Sequence, residues 1–299
     1  MKLTVNAPGK LNLFLHITGR RTDGYHTLQT LFQFVDYCDV LSFSSRSDAI
    51  IEVKPDIAGL QPEDNLIYRA ASLLQSHSRK PRGVDIQLQK QLPMGGGMGG
   101  GSSNAASTLV ALNKLWQLGL NKVTLAKIGL SLGADVPVFI HGHAALAEGI
   151  GEVLQTVDIA EPWYLIAIPS CHANTAELFQ EKQLTRDSKI IRIRDFLKGG
   201  SRNDFEPVLR KRFPLIDRCM QMIDCTARDS HDAKGSARVT GSGACLFVEC
   251  ESEPGANRLL LDITRQMDRF QLTNQDVSWK IVKGCNHSPL YTGDLASQG

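Results

Sequence analysis

Apolar residues follow two different spacings along the chain, and the spacing changes at a run of glycines. Before residue 90 the alternation is typical of strands, at 3–6, 10–15, 39–43, 50–53 and 84–88. From 105 to 116 apolar residues recur every three or four positions, which places them on one face of a helix. The pattern therefore predicts a strand, a glycine-rich loop and a helix in succession, with the loop over 93–101.

The rest of the chain mixes helical and strand patterns. Helices are predicted at 64–74 with Asp64 or Asn65 as N-cap, and at 123–132 with Gly133 as C-terminal cap. A basic helix is predicted to open at 203–207 and to continue as helix over 213–223, and another helix is predicted at 253–270. Strands are predicted at 144–148, 152–157, 163–168, 277–282 and, hinged on a glycine turn, within 238–248. Segment 27–35 fits either a strand or a short helix. We expect a break at 7–9, polar loops at 181–189 and 229–236, and a loose tail from Ser288.

The residues after Glu161-Pro162 have the pattern of a new buried strand, which places a domain boundary there and predicts two domains, 1–160 and 161–299.

The composition of the chain indicates which class of protein it belongs to. Of 299 residues, 42% are hydrophobic and 21% charged, and the net charge is only +2. This is typical of a soluble globular protein without the charged patch that would recruit nucleic acid or a membrane surface. No segment reaches the ~20 apolar residues of a membrane helix, so we expect a cytoplasmic protein. The seven cysteines are scattered without a Cys-x-x-Cys pair and are expected to be reduced.

The glycine loop predicts an anion site. A helix start presents unpaired N–H groups and partial positive charge, and glycine lets the backbone approach an anion closely. A flexible linker is the alternative. The spacing Gly95-x-Gly97-x-x-Gly100 formally fits a dinucleotide fingerprint, but the acidic residue expected about 20 positions later is missing. No lysine enters the helix as it would in a Walker loop.

Three other places are candidates for chemistry, each with a plain structural alternative. Lys10 and Asn12 share one strand face and suit an active-site wall or an exposed edge. Asp135 either caps a short helix or faces a charged group in a cleft. Tyr25-His26 is suited to stacking on a base, or is ordinary structure. His141 and His143 lack a metal-binding frame, and no dedicated metal site is expected.

Taken together, the motifs resemble those of the galactokinase, homoserine, mevalonate and phosphomevalonate kinase superfamily. The loop 93–105 is similar to its Pro-x-x-x-Gly-Leu-Gly-Ser-Ser-Ala motif, and 7–12 and 239–244 match its other two motifs. Within the superfamily, 10–15, Gly-Arg-Arg-x-Asp-Gly-Tyr-His at 19–26 and Gly-Ala-Asp-Val-Pro-Val-Phe at 133–139 look like the 4-diphosphocytidyl-2-C-methyl-D-erythritol kinase family.

The resemblance implies an α+β fold. It comprises an N-terminal ATP-binding domain of the ribosomal S5 domain 2-like type and a C-terminal ferredoxin-like domain, with the active site in the cleft between them. It also implies transfer of the ATP γ-phosphoryl group to the C2 hydroxyl of a substrate carrying cytidine diphosphate. ATP and Mg are the implied cofactors, and we expect a monomer or weak homodimer.

The resemblance assigns roles to individual residues. Lys10 and Asp135 are the implied catalytic residues. The implied ATP-binding residues are Pro93, Met94, Gly95, Gly96, Gly97, Met98, Gly99, Gly100, Gly101, Ser102, Ser103, Asn65, Lys90 and Asn104, with Ser102 or Ser103 near Mg. The implied substrate-binding residues are Asn12, Tyr25, His26, Thr175, Phe179 and Gly241. A kinase for another alcohol and a non-catalytic nucleotide-binding protein are the rival hypotheses.

Overall fold

A computed structural model describes residues 1–22, 24–56, 61–78, 80, 82–196, 199 and 202–298. Asp23 of the predicted 19–26 motif lies outside the described residues. The strands are β1 (Lys2–Arg20), β2 (His26–Arg46), β3 (Ile51–Lys54), β4 (Gly83–Gln89), β5 (Ala145–Glu148), β6 (Val153–Thr156), β7 (Trp163–Pro169), β8 (Ala233–Val239), β9 (Leu246–Cys250) and β10 (Val277–Cys285). The helices are α1 (Leu66–Gln75), α2 (Gly100–Leu115), α3 (Lys122–Leu130), α4 (Val136–His141), α5 (Thr175–Gln180), α6 (Ile193–Phe196), α7 (Glu206–Arg212), α8 (Pro214–Asp229) and α9 (Glu253–Gln266).

The N-terminal motif lies on one long strand. The predicted break at 7–9 is wrong, because β1 continues through it with a register shift against β2 between Pro8 and Lys10. A bulge accommodates proline, which cannot donate to the ladder, and it re-aims the residues that follow. Segment 27–35 lies within β2, so the strand alternative was the right one.

Among the described residues, ten strands form one mixed sheet. Its path is β3-β4-β2-β10-β7-β9-β8, with β1 and β5 also pairing with β2 and β6 pairing with β5. The β3–β4 pair is parallel, whereas the other strand pairs are antiparallel. Strand β10 joins the two halves of the chain, since it pairs with β2 through Gly284 and Cys285 and with β7 along 277–283. The α+β prediction is confirmed, and the division at residue 160 stays a prediction.

The helices follow the predicted pattern with shifted ends. Asn65 is the N-cap of α1, and its Oδ1 accepts from the Ile67 N–H at 2.9 Å. Helix α2 begins at Gly100, five residues before its first predicted apolar position, and is buried on nearly all sides. The cap of α3 is Ser131 and not the predicted Gly133. No helix in the described part of the chain is long and apolar enough to span a membrane.

Two polar segments are more ordered than predicted. The tail from Ser288 is not loose: Leu290 and Leu295 are fully buried in the cluster that holds Leu3 and Val5. The predicted polar loop at 229–236 ends early, because β8 begins at Ala233. Both segments are locally polar, and so the sequence predicted loops. In the structure, a few apolar side chains of these segments are buried against distant strands, and this burial orders the backbone.

Candidate active site

A cavity of about 1040 Å³ lies where β1, β2, the glycine loop and the turn after β8 meet. All of the predicted site residues except Met98, Ser102 and Ser103 line it. Met98 is 1% exposed and packs in a core cluster between the sheet strands. The side chain of Ser103 is buried and its Oγ has no protein partner. The cavity thus brings together residues that are more than 200 positions apart.

Lys10 and Asp135 face each other at the wall of this cavity. Lys10 is 2% exposed, and its Nζ lies 3.4 Å from Asp135 Oδ2. The ammonium also donates to the Gly97 carbonyl at 2.8 Å and to Asn12 Oδ1. Asp135 precedes α4 but makes no side-chain cap hydrogen bond, so its carboxylate, 34% exposed, is turned toward the lysine and the cavity. The charged-partner alternative for Asp135 and the active-site-wall alternative for Lys10 and Asn12 are therefore the ones that fit the structure.

Asn12 ties the strand of Lys10 to two other elements. Its Nδ2 donates to Thr30 Oγ1 at 2.8 Å, and its backbone N–H donates to Thr240 Oγ1 at 2.9 Å. Asn12 is itself buried, and its Oδ1 accepts from Lys10. An amide that is hydrogen-bonded through both its oxygen and its nitrogen holds the buried ammonium beside it in one position.

The glycine loop needs glycine because of close backbone approach. A Cβ on Gly97 would lie 2.1 Å from the Thr240 carbonyl oxygen, and Gly97 has a φ of +76°. Gly99 is the N-cap of α2 with a φ of +73°. Gly100 and Gly101, the first residues of this sixteen-residue helix, line the cavity. The N-terminus of α2 therefore faces the cavity with its backbone N–H groups, and the glycines leave room beside it. This arrangement is typical of a polyphosphate-binding site.

Asp39 is a functional candidate that the sequence pattern missed. It is fully buried beneath the glycine loop, and Oδ1 accepts from the N–H groups of Gln91 at 2.6 Å and Leu92 at 2.7 Å. Its Oδ2 lies 2.9 Å from Lys90 Nζ and accepts from Asn104 Nδ2 at 3.1 Å. The carboxylate therefore joins the entry of the loop, Lys90 and the first turns of α2. Its only sequence signal was an acidic residue at the start of an apolar strand.

The opposite end of the cavity is aromatic. The His26 and Phe179 rings stack with centroids 4.7 Å apart and planes at 13°. Tyr25 lines the same cavity and is 63% exposed. Thr175 Oγ1 lies 2.6 Å from Ser242 Oγ. This end offers flat apolar faces with hydroxyl groups beside them, which suits a base with attached polar groups.

Two further side chains at this end were not predicted. Asn203 is buried and its Nδ2 donates to the carbonyls of Gly241 at 2.7 Å and Val239 at 2.9 Å, which fixes the turn after β8. Arg186 Nε donates to His26 Nε2 at 3.2 Å. Burial, and then the positive charges of Arg186 and Arg20, lower the pKa of His26. Arg186 lies in the polar run 181–189, where the sequence predicted a surface excursion.

No group of three His, Cys, Asp or Glu side chains among the described residues is arranged to hold a metal ion. Two side-chain oxygens in the first turns of α2, Ser103 Oγ and Asn104 Oδ1, are buried and have no hydrogen-bond partner among the described residues. Because neither atom is exposed, a cation in the cavity would be held through a phosphate ligand and not by these two atoms.

The fold and this site define an ATP-dependent small-molecule kinase: a glycine loop running into a helix start, beside a buried lysine paired with an aspartate. The family model for the GHMP kinases N terminal domain matches residues 65–143, which contain the glycine loop, α2 and Asp135.

Comparison with related proteins shows which family of small-molecule kinases the chain belongs to. A 4-diphosphocytidyl-2-C-methyl-D-erythritol kinase from Pseudomonas aeruginosa is 49% identical over 97% of this chain and 97% of its own length. A protein of the same name from Tolumonas auensis is 46% identical over 95% of this chain and 94% of its own length. The chain belongs to the 4-diphosphocytidyl-2-C-methyl-D-erythritol kinase family.

Solved structures agree with this assignment. A crystal structure of 4-(cytidine 5'-diphospho)-2C-methyl-D-erythritol kinase superposes with a TM-score of 0.77 at 27% identity, covering 94% of this chain and 99% of that one. A mevalonate kinase superposes with a TM-score of 0.65 at 17% identity, covering 95% of this chain and 100% of its own, and so shares the fold.

Proposed function

We propose that the protein transfers the γ-phosphoryl group of ATP to the C2 hydroxyl of 4-diphosphocytidyl-2-C-methyl-D-erythritol. The products are the 2-phosphate and ADP, in non-mevalonate isoprenoid precursor synthesis. The observation that carries the proposal is one cavity in which the Lys10–Asp135 pair stands between an anion-binding helix start and an aromatic end. ATP bound at the helix start and the alcohol substrate bound at the aromatic end would meet at the Lys10–Asp135 pair.

Asp135 acts on the acceptor in this proposal. Its carboxylate orients the C2 hydroxyl and accepts its proton as the oxygen attacks phosphorus. The hydroxyl is tertiary and weakly acidic, so alignment matters more than proton removal. Lys10 lies against both Asp135 and the Gly97 carbonyl. Its positive charge faces the aspartate carboxylate and offsets the negative charge that develops during transfer. Asn12 fixes Lys10 and borders the methylerythritol unit.

The donor end comprises the loop 93–103 and the start of α2. Their N–H groups and the absence of side chains at Gly97 and Gly99 suit the triphosphate. Asn65, Lys90 and Asn104 border the adenosine side. Mg²⁺ would arrive with ATP and would supply charge compensation. Ser102 or Ser103 would be its protein contact, although neither side chain lines the cavity in this structure. At the acceptor end, Tyr25, His26 and Phe179 bind the cytidine, with Thr175 and Gly241 beside the diphosphate.

We also propose that the enzyme is a cytoplasmic monomer or weak homodimer that acts on this small molecule and not on nucleic acid or a membrane. The size of the particle in solution, measured by sedimentation, tests the oligomeric part.

An ADP-release assay over a small panel of alcohols tests the proposed reaction. We expect turnover with the diphosphocytidyl substrate and none with homoserine or mevalonate at the same concentration. Turnover with homoserine or mevalonate alone would assign the chain to another acceptor.

The roles of the pair are tested by variants in the same assay. Asp135→Asn should lower kcat by about 10²- to 10⁴-fold, because it removes the proton acceptor. Lys10→Met should also lower kcat strongly. In Asp135→Asn, the affinity for ATP measured by calorimetry should change little. Full activity in either variant would remove that residue from catalysis.

A further inference from the structure

The segment that follows α5 is anchored across the acceptor end of the cavity by one arginine. Arg186 Nη2 donates to the carbonyls of Phe179 and Glu181, both at 2.8 Å, and Nη1 donates to the Leu184 carbonyl at 3.0 Å. Nε donates to His26 Nε2 at 3.2 Å. One guanidinium therefore ties three carbonyls of the C-terminal half to a ring on β2, 160 positions away.

The hydrogen bond from Arg186 Nε determines which ring nitrogen of His26 carries the proton. A guanidinium can only donate, so Nε2 of His26 must be the unprotonated, accepting nitrogen. In a neutral imidazole the proton then resides on Nδ1. Burial and the charges of Arg186 and Arg20 lower the pKa of His26, which favours the neutral ring. Among the described residues, the ring atom left for a ligand is thus a donor, Nδ1–H.

The same arginine fixes the partner of the histidine. Phe179 stacks on His26 at a centroid distance of 4.7 Å, and its other neighbour is Phe205, edge-on at 5.0 Å. Because Arg186 holds both the Phe179 carbonyl and the His26 ring, it fixes the two members of the stack relative to each other. Tyr25 lines the cavity beside them.

We propose that Arg186 is a positioning residue for base recognition: it locks His26 as the Nδ1–H tautomer and holds it on Phe179, so that the site favours cytosine over uracil. The selection applies when Nδ1–H is directed at N3 of the base, because N3 of cytosine accepts a hydrogen bond, whereas N3 of uracil carries a proton and repels a donor. The O2 atom accepts in both bases and does not distinguish them. The proposal rests on the proposed function, since it assumes that a cytidine group occupies this end.

Kinetics with paired substrates test the consequence. The probes are the diphosphocytidyl substrate and its diphosphouridyl analogue, assayed with Arg186→Met, Arg186→Lys and the control Arg194→Met. Arg194 lies in the same segment, is 68% exposed and contacts only Asp195 among its charged neighbours within 4.0 Å in the described residues.

In Arg186→Met we expect the KM for the cytidylyl substrate to rise by about 10- to 100-fold. The reason is that His26 Nε2 and the three carbonyls held by Arg186 lose their hydrogen-bond donor. The KM for ATP should change by less than about twofold, since the nucleotide end is untouched. The preference for cytidine over uridine should fall by at least about tenfold. Arg186→Lys, which restores one donor, should be intermediate, and Arg194→Met should match the wild type.

Nitrogen NMR of the ligand-free protein tests the cause independently of catalysis. In the wild type, the spectrum should show His26 with a protonated Nδ1 and an unprotonated Nε2, and in Arg186→Met a mixture of tautomers. An unchanged tautomer, or an unchanged KM and base preference, in a folded Arg186→Met protein overturns the proposal. If the wild type phosphorylates neither substrate, the proposed function fails and base selection with it, while the spectrum still decides whether Arg186 sets the ring.

Discussion

Replacing Gly97 by alanine is the sharpest test of the close approach between the glycine loop and the turn after β8. The added Cβ would lie 2.1 Å from the Thr240 carbonyl oxygen and 3.1 Å from that of Gly243. Non-bonded carbon and oxygen atoms rest more than about 3 Å apart, so the loop and the turn must separate by roughly 1 Å. The φ of +76° adds strain for any residue with a side chain, on the order of 1–2 kcal/mol.

The displacement would reach Lys10 and Asn12 directly. Lys10 Nζ donates to the Gly97 carbonyl at 2.8 Å, and Thr240 Oγ1 accepts from the Asn12 N–H at 2.9 Å. A shift of about 1 Å in a catalytic constellation costs on the order of 10²-fold in rate. We therefore expect Gly97→Ala to lose about 10²-fold in kcat/KM and about 2–4 kcal/mol in unfolding free energy.

Gly119→Ala is the matched control, because Gly119 has a φ of +69° and nothing within 4 Å of the added Cβ. It carries the backbone strain without the clash, so it should cost about 1–2 kcal/mol and keep nearly full activity. Urea denaturation and the ADP-release assay on both variants separate the two effects. Wild-type turnover in Gly97→Ala would show that the loop and the turn need not touch, and would refute the reasoning.

Three other predictions concern residues around the cavity. Asp39→Asn should raise KM for ATP and lower stability by about 2–4 kcal/mol, because Lys90 loses its buried partner; adding Lys90→Met should recover part of the stability, and denaturation midpoints that show no such recovery contradict the pairing. Tyr25→Ala should raise KM for the cytidylyl substrate and leave KM for ATP unchanged, so the reverse pattern in steady-state kinetics argues against an aromatic base site. The pKa of His26 in the folded protein lies below its ordinary 6.5, so the unfolded chain takes up that proton first. Its contribution to stability is present above pH 6.5 and is lost as pH falls from there through the lowered folded-state pKa; His26→Gln should flatten this part of the stability profile, and an unchanged profile would show that the ring does not titrate there.

Sequence patterns were sufficient where the cause is local. The sequence predicted the N-cap of α1 at Asp64 or Asn65, and the cap is Asn65, which lies two positions before the N–H it accepts from. The glycine loop followed by α2 is readable because positive φ and close approach require glycine itself. Lys10 and Asn12 share a face because side chains alternate along a strand. These features are set within a few residues, and so the sequence contains their full cause.

The parts that sequence patterns missed are set by distant contacts. The only local signal of Asp39 was an acidic residue at the start of an apolar strand, and its partners Lys90 and Asn104 lie 51 and 65 positions away. Arg186 lay in a polar run that looked like surface, and only the folded chain brings it to His26. The tail after Ser288 had the polarity of a loose end, yet Leu295 is fully buried against the N-terminal strand region. Local pattern does not report which distant surface a segment will meet.

Phosphorus NMR of the product formed from ATP and 4-diphosphocytidyl-2-C-methyl-D-erythritol tests the central claim most directly. If Asp135 and Lys10 direct the C2 oxygen at the γ-phosphorus, one new phosphomonoester signal should appear, on C2, in step with ADP. ADP formed without a new phosphomonoester, or a phosphate on another hydroxyl of the substrate, would contradict the account.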